Sequence, residues 1–235
     1  MSPVIEAPAG FRTRGRAPVG TRLVFIRHGE AYCNARGVVG GLKGCGGLTE
    51  LGRAQAVALR DRVISSREFD DVSALYTSVL PRAIETTGLI APALPAGLVA
   101  VRDCELCELH PGQADGLTWD EMIARFGGPD WDADPSQPFA PEGESWLEFY
   151  GRCERAITSI IDRHAGERVM LVVHGGLIEQ AMKILSGHGA EERLGLRTEN
   201  CSITEIEFDG VHRRLLRYND LAPLPRDDDS SDALS

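Results

Sequence analysis

Short apolar runs alternate with helical patterns along this 235-residue chain. The clearest run, Arg168–Val173, is almost continuously apolar, as is typical of a strand buried on both faces of a sheet. It leads directly into a helical pattern over Gly175–Leu185. Parallel strands need long crossover connections, which are usually helices. The alternation therefore predicts an α/β fold with a mostly parallel central sheet.

The other predicted elements follow the same order. Strands are expected at Thr21–Ile26, Ala74–Thr77, near Leu98–Arg102, and at Ile203–Phe208 and Arg213–Tyr218, with a hairpin turn at Asp209-Gly210. Helices are expected after the N-cap residue Thr49, from Pro81 to about Ile90 and from Glu144 to about His164. The Gly-rich residues 29–47 predict an extended loop, and residues 104–143 predict an irregular, cap-like insertion.

The formal net charge of -10 argues against proteins that hold nucleic acids or anionic membranes on a basic face, so we predict neither partner. No apolar stretch is long enough for a membrane span, and residues 1–20 lack the apolar core of a signal peptide. Six cysteines without an export signal indicate reduced thiols and a cytoplasmic protein. We predict one domain at residues 21–220, between a flexible leader (1–20) and a disordered acidic tail (221–235).

Three segments that carry basic or imidazole groups each follow a predicted strand. They are Arg27-His28-Gly29-Glu30, Ser78 to Arg82, and His174-Gly175-Gly176. In open α/β sheets, ligands bind beyond the carboxyl ends of the strands, so the two arginines and two histidines are expected to converge on one rim. This set of side chains suits a phosphoryl group, because guanidinium matches phosphate oxygens and imidazole can act as a nucleophile.

Four segments together resemble the histidine phosphatase superfamily, also called the phosphoglycerate mutase-like family. They are Leu-Val-Phe-Ile-Arg-His-Gly-Glu (23–30), Leu-Thr-Glu-Leu-Gly-Arg-Ala-Gln-Ala (48–56), Arg-Ala-Ile-Glu-Thr-Thr (82–87) and Val-Val-His-Gly-Gly (172–176). The resemblance covers about residues 21 to 208 and implies a three-layer α/β/α sandwich. It implies His28 as the nucleophile that becomes phosphohistidine, with Arg27, Arg82, His174 and Gly175 around the phosphate.

The resemblance also implies a general acid in a Leu-x-Glu segment followed by two glycines four residues apart. Leu106-Cys107-Glu108, with Gly112 and Gly116, fits this form, so Glu108 is the candidate acid and base and Glu105 the alternative. Asn34 resembles a further phosphate contact of the family, and Ser145 resembles a motif residue at the start of a late helix. Two positions depart from the family pattern, Ala31 and Cys107, and neither removes a catalytic group.

A second motif, Cys104-x-x-Cys107-x-x-His110, offers three zinc ligands within seven residues. A single Cys-x-x-Cys pair is a weak signal, and an ion there would restrain the loop that carries Glu108, so we predict no metal and no cofactor. A zinc-stabilised interaction module stays open as an alternative. Cys45, in a Gly-rich segment, is a further thiol that the fold could bring to the cluster.

The substrate is predicted to be a small phosphorylated metabolite. Between Asp103 and Gly151 the sequence has twelve Asp and Glu residues and one basic residue, Arg125. Such a cap would repel a bisphosphorylated ligand, so hydrolysis of a monophosphate with a neutral or amine-bearing remainder is favoured over a phosphoglycerate mutase reaction. The alternatives are that mutase reaction and a catalytically silent binding or regulatory member of the fold. A homodimer is compatible with the sequence.

Overall fold

A six-stranded mixed sheet forms the centre of the protein, and its strands lie in the order β3-β2-β4-β1-β5-β6. The computed structural model describes residues 20–192 and 194–221, so the predicted leader and tail, apart from Gly20 and Leu221, lie outside the described residues. The strands are β1 (Thr21–Arg27), β2 (Val72–Thr77), β3 (Val101–Arg102), β4 (Arg168–Val173), β5 (Ile203–Phe208) and β6 (Arg213–Asp220). The β1–β4, β2–β4 and β2–β3 pairs are parallel, whereas β1–β5 and β5–β6 are antiparallel.

Six α-helices among residues 20–192 and 194–221 connect or flank these strands. They are α1 (Tyr32–Ala35), α2 (Glu50–Ser66), α3 (Pro81–Ile90), α4 (Trp119–Phe126), α5 (Trp146–Arg163) and α6 (Gly175–Ser186). Within residues 20–192 and 194–221, none of the helices has the length and apolar composition needed to cross a membrane.

Two apolar cores, one on each face of the sheet, make the protein a three-layer α/β/α sandwich. Alternate residues of β1 enter opposite cores: Leu23 and Phe25 pack with α5 and α6, whereas Val24 and Ile26 pack with α2 and α3. β4 alternates in the same way, and its last five residues are buried. A strand covered on both faces needs apolar residues at nearly every position, which explains the continuous run. The predicted fold class is confirmed.

The predicted strand and helix order is confirmed, with three differences of detail. A one-turn helix, α1, interrupts the loop predicted at residues 29–47, and the strand expected near Leu98–Arg102 is only two residues long. Helix α4 lies in the segment predicted to be irregular. Its signals were present, because Thr118 and Glu121 form a capping box and Gly127 ends the helix with a φ of 85°. The surrounding Gly and Pro residues are typical of irregular structure, so no helix was predicted there.

Candidate functional site

Pairing between the two central strands brings the predicted histidines together. The parallel β1–β4 register places Arg27 opposite Val173, so His28 and His174 are the next residues along neighbouring strands. The backbone N–H of His28 donates to the Val173 carbonyl at 3.0 Å, and the two imidazole centroids lie 5.1 Å apart. Both side chains are buried. Two residues 146 positions apart in the sequence thereby form one pair at the carboxyl edge of the sheet.

Arg82 lies between these two imidazoles. It occupies the first turn of α3, where Pro81 starts the helix, and its side chain is only 4% exposed. Its Nε–H lies 3.1 Å from Nε2 of His28 and 3.3 Å from Nδ1 of His174, and its Nη1 donates to the Gly40 carbonyl at 2.7 Å. A cation at a helix N-terminus opposes the helix dipole, so an anion is favourable at this position.

The hydrogen bonds define which ring nitrogens carry protons. Nδ1 of His28 lies 2.6 Å from the carbonyl oxygen of Gly29, which can only accept, so Nδ1 donates and Nε2 keeps its lone pair. Nδ1 of His174 faces the Arg82 donor, so its Nε2 carries the proton and donates to Ser78 Oγ at 2.7 Å. His28 therefore presents an unprotonated nitrogen to the place where a phosphoryl group is expected.

Burial lowers the pKa of His28 and of His174 well below the ordinary value of 6.5, and the neighbouring Arg82 charge lowers both further. Both imidazoles are consequently neutral across the physiological pH range. For His28 this matters chemically, because only the neutral ring can attack phosphorus. Burial likewise lowers the pKa of the Arg27 guanidinium.

The depressed pKa values predict a pH-dependent stability. An unfolded chain takes up protons on these histidines below about pH 6.5 while the folded chain does not, so stability is lost as the pH falls from 6.5 towards 5. Each group contributes up to about 1.4 kcal/mol per pH unit. Urea unfolding of wild type and His28→Gln at several pH values measures this. The variant should show a shallower loss, and equal slopes would contradict the assignment.

The histidine–arginine cluster opens into a cavity of about 600 Å³. Arg27, Asn34 and Gly175, which the sequence predicts to contact the phosphate, line it together with His28 and Arg82. Nη1 of Arg27 donates to the Thr198 carbonyl, and its buried Nε has no hydrogen-bond partner among the described residues. Such an unpaired donor favours an anion in the cavity. The fully buried His174 lies behind the wall and touches the cavity only through His28 and Arg82.

Glu108 reaches the same cavity from the segment after β3. Its Oε2 accepts a hydrogen bond from the backbone N–H of Gly176 at 3.0 Å, at the start of α6, and its Oε1 accepts from Leu109 at 3.2 Å. The alternative carboxylate, Glu105, pairs instead with Arg155 at 3.6 Å and does not line the cavity. Glu108 lines the same cavity as Arg27, His28 and Arg82, and this position suits a group that exchanges a proton with a leaving group.

A buried ion pair holds the backbone around Glu108. Arg152 on α5 makes two 2.7 Å hydrogen bonds to the carboxylate of Glu144, and it donates to the carbonyls of Glu105 and Cys107 at 2.8 and 3.0 Å and of Glu108 at 3.2 Å. Burial opposes ionisation of Glu144, yet the Arg152 hydrogen bonds keep the pKa of this carboxyl below its ordinary value. Neither residue was predicted to belong to the site. The segment Pro-Glu-Gly-Glu-Ser (141–145), whose Ser145 is the N-cap of α5, contains Glu144 but not Arg152.

Gly176 is required for this placement of Glu108. A Cβ on Gly176 would lie 2.3 Å from Glu108 Oε1, so we expect Gly176→Ala to push the carboxylate aside and to lower kcat by roughly 10-fold or more. Gly151→Ala, on α5, is the matched control because its Cβ would meet its nearest atom at 3.6 Å. Turnover of a phosphomonoester by both variants gives the comparison. Equal activity of the two would show that the Gly176 contact is dispensable.

Apolar side chains, three of them aromatic, and not acidic ones, form most of the cavity wall contributed by the predicted cap. Trp119, Trp131 and Phe139 line it, with ring centroids of Trp119 and Trp131 5.8 and 5.9 Å from that of Phe139. Of the twelve acidic residues between Asp103 and Gly151, all within the described chain, only Glu108 reaches the cavity. The expectation that an acidic cap faces the substrate was therefore wrong.

Several of the other acidic residues of this segment have local structural roles, which explains the difference. Asp115 accepts three backbone hydrogen bonds from the loop after α1, each 2.9 Å long. Glu121 and Glu148 complete capping boxes, and Asp134 accepts from Ser136 in a turn. These carboxylates add to the negative charge of the sequence, but in the structure they accept hydrogen bonds from nearby N–H groups.

Comparison with known proteins identifies the family. The model of the histidine phosphatase superfamily (branch 1) matches residues 23–221. The chain belongs to the histidine phosphatase superfamily. All of the predicted site residues lie within the matched range.

The names of individual relatives state different activities. Phosphoglycerate mutase-like protein 4 of Arabidopsis thaliana is 34% identical over 66% of this chain and 67% of its own. "Putative phosphoserine phosphatase 2" of Hydrogenobacter thermophilus is 28% identical over 85% of this chain and 96% of its own. A mycobacterial glucosyl-3-phosphoglycerate phosphatase, solved in complex with VO3, aligns with a TM-score of 0.71 at 28% identity over 85% of this chain and 98% of its own.

Proposed function

We propose that this protein is a phosphatase that hydrolyses a small phosphomonoester through a phosphohistidine on His28. The observation that carries the proposal is the neutral, buried His28, whose unprotonated Nε2 lies beside the Arg82 guanidinium on a cavity that Arg27 and Glu108 also line. Phosphatase names among the relatives support the same reaction class.

In the first half-reaction, Nε2 of His28 attacks phosphorus and forms a P–N bond while the P–O bond to the leaving group breaks. Arg27 and Arg82 stabilise the negative charge on the equatorial oxygens, and Glu108 gives its proton to the leaving oxygen. The hydrogen bond from Nδ1 to Gly29 keeps the imidazole oriented and partly offsets the positive charge that the ring gains.

In the second half-reaction, the carboxylate of Glu108 takes a proton from water as the water attacks phosphorus. The P–N bond breaks, inorganic phosphate forms, and both His28 and the protonated Glu108 return to their starting states. Because guanidinium groups supply the positive charge, the proposal needs no metal ion in the chemical step. Hydrolysis of 4-nitrophenyl phosphate that is unchanged by a chelator would support this, and loss of hydrolysis with the chelator in both the wild type and Cys104→Ser would refute it.

The second acidic residue of the cavity wall, Glu179 on α6, suggests which leaving groups bind. Its Oε1 is buried and has no hydrogen-bond partner among the described residues, so an ammonium group of the substrate would satisfy it. Arg197 also lines the cavity, but it is largely exposed and pairs with Glu199 at 2.7 Å. We therefore propose an amine-bearing phosphomonoester, with the aromatic wall covering its carbon skeleton.

Glu179→Gln should separate amine-bearing substrates from neutral ones. We expect kcat/KM for phosphoserine or phosphoethanolamine to fall roughly 10- to 100-fold, the value of one charge-assisted hydrogen bond, while glycerol phosphate changes by less than about 2-fold. Steady-state kinetics over this panel provide the measurement, and Glu154→Gln on the exposed side of α5 is the control. Uniform losses across the panel, or 2,3-bisphosphoglycerate as the best substrate of the wild type, would refute the substrate proposal.

A further inference from the structure

Two thiols and an imidazole meet on the outer side of the loop that carries Glu108. One ligand atom each from Cys104, Cys107 and His110 lies within 4.8 Å of the others. The Sγ of Cys104 is 3.7 Å from Nε2 of His110. In a tetrahedral zinc site, Zn–S bonds are about 2.3 Å long and Zn–N bonds about 2.0 Å. A sulfur and a nitrogen ligand are then ~3.6 Å apart (the S···N edge), and two sulfur ligands are ~3.8 Å apart (the S···S edge). The distance between Cys104 Sγ and His110 Nε2 matches the S···N edge, and the upper limit of 4.8 Å for all three separations exceeds the S···S edge by about 1 Å.

The three side chains differ in exposure in a way that suits an accessible metal site. Cys107 is 1% exposed and forms the floor, whereas Cys104 is exposed and the His110 side chain is 42% exposed. An ion can therefore enter from solvent, and water can occupy a fourth position. Thiolate and imidazole donors favour Zn²⁺ over the oxygen-seeking Mg²⁺ and Ca²⁺.

The surroundings orient the imidazole for this role. Nδ1 of His110 faces Oε1 of Glu144 at 3.7 Å, which leaves Nε2 directed at the cluster. Glu144 is itself held by the two hydrogen bonds from Arg152 and accepts from the backbone N–H of His110 at 2.8 Å. A carboxylate beside the second nitrogen is the usual outer contact of a zinc-bound histidine.

We propose that Cys104, Cys107 and His110 bind one Zn²⁺ ion, which ties the two ends of the 104–110 loop together around Glu108. Each thiol releases its proton to solvent as its sulfur–zinc bond forms, and the imidazole binds in its neutral form. The sequence motif alone favoured no metal, and the spatial approach of its three ligands changes that interpretation. Cys45 is not a fourth ligand, since its Sγ accepts from the backbone N–H of Arg82 at 3.4 Å, beside Cys33.

Cobalt binding to the full chain tests the site. Reduced protein freed of metal with a chelator is titrated with Co²⁺, whose thiolate charge-transfer band and tetrahedral visible bands report the ligand set. We expect one Co²⁺ per chain, displaced by Zn²⁺, and an affinity at least about 100-fold lower in Cys104→Ser and in His110→Ala. Cys104 and His110 are both partly exposed, so these variants should fold.

Two control variants keep the test specific. Cys33→Ser removes a thiol outside the cluster, and His212→Ala removes an imidazole whose side chain is 65% exposed, so both should bind Co²⁺ as the wild type does. The proposal is overturned if the reduced wild type shows no thiolate–cobalt band, if Cys104→Ser binds unchanged, or if the two thiols form a disulfide and the reduced form takes up no metal. None of these outcomes depends on phosphatase activity, so failure of this proposal and failure of the proposed function are distinguishable.

Discussion

His28→Gln is expected to lower kcat/KM by at least about 10³-fold and to remove all covalent phosphate from the protein. The variant lacks the imidazole that lines the cavity, and His174 cannot replace it because this residue is fully buried behind the cavity wall and its Nε2 is bonded to Ser78 Oγ. Loss of the nucleophile in other covalent enzymes costs up to roughly 10⁶-fold, since the groups of such a site act as a unit.

Rapid acid-free quenching followed by intact-mass analysis measures the phosphoenzyme directly, and steady-state assays measure turnover. His212→Gln, at the exposed turn between β5 and β6, is the matched control and should retain both signals. Phosphate that stays bound to the His28 variant at another residue would overturn the assignment of the nucleophile. Wild-type protein that binds phosphomonoesters but never turns them over would instead identify a silent binding member of the fold.

Glu108→Gln is expected to act differently on the two half-reactions. With an alkyl phosphomonoester, kcat/KM should fall by about 10²- to 10⁴-fold, because the departing alkoxide no longer receives a proton. With 4-nitrophenyl phosphate the phenolate leaves unprotonated, so His28 is still phosphorylated. The second step then lacks its base, and the phosphoenzyme should accumulate as a burst of close to one nitrophenolate per active site.

Stopped-flow absorbance resolves the burst, and mass analysis identifies the trapped intermediate. Glu105→Gln is the matched control, since this carboxylate lies three residues away and pairs with Arg155 on the outer surface. It should show wild-type turnover without accumulation of phosphoenzyme. A burst in Glu105→Gln and none in Glu108→Gln would reverse the assignment of the general acid.

Much of the fold could be predicted because each central strand is covered on both faces. That environment demands apolar residues at consecutive positions, as in β4, and the demand is visible in the sequence. Helix α4 could not be predicted with the same ease, because it is short and only Met122 among its residues is buried. Its capping box was a real signal, but an isolated one.

The site residues also differ in whether the sequence alone could predict them. His28, Arg82 and His174 each stand directly after a strand or at the start of a helix, so local order alone indicates their convergence on one edge of the sheet. Arg152 and Glu144 act on Glu108 through backbone carbonyls and N–H groups. Such contacts leave no spacing rule in the sequence, and the same is true of Glu179.

The sequence by itself determined the fold class, through local periodicity, and the set of two histidines and two arginines, which stand next to strand ends. Its motifs indicated the family, and the resemblance to that family implied the carboxylate. Tertiary structure decided which atoms face the cavity. It placed β4 beside β1, directed Asp115 of the cap to backbone N–H groups of a neighbouring loop, and brought the ligand atoms of Cys104, Cys107 and His110 within 4.8 Å of one another. The direction of a side chain depends on hydrogen bonds between segments that are distant in the sequence. These bonds cannot be deduced from the amino-acid composition.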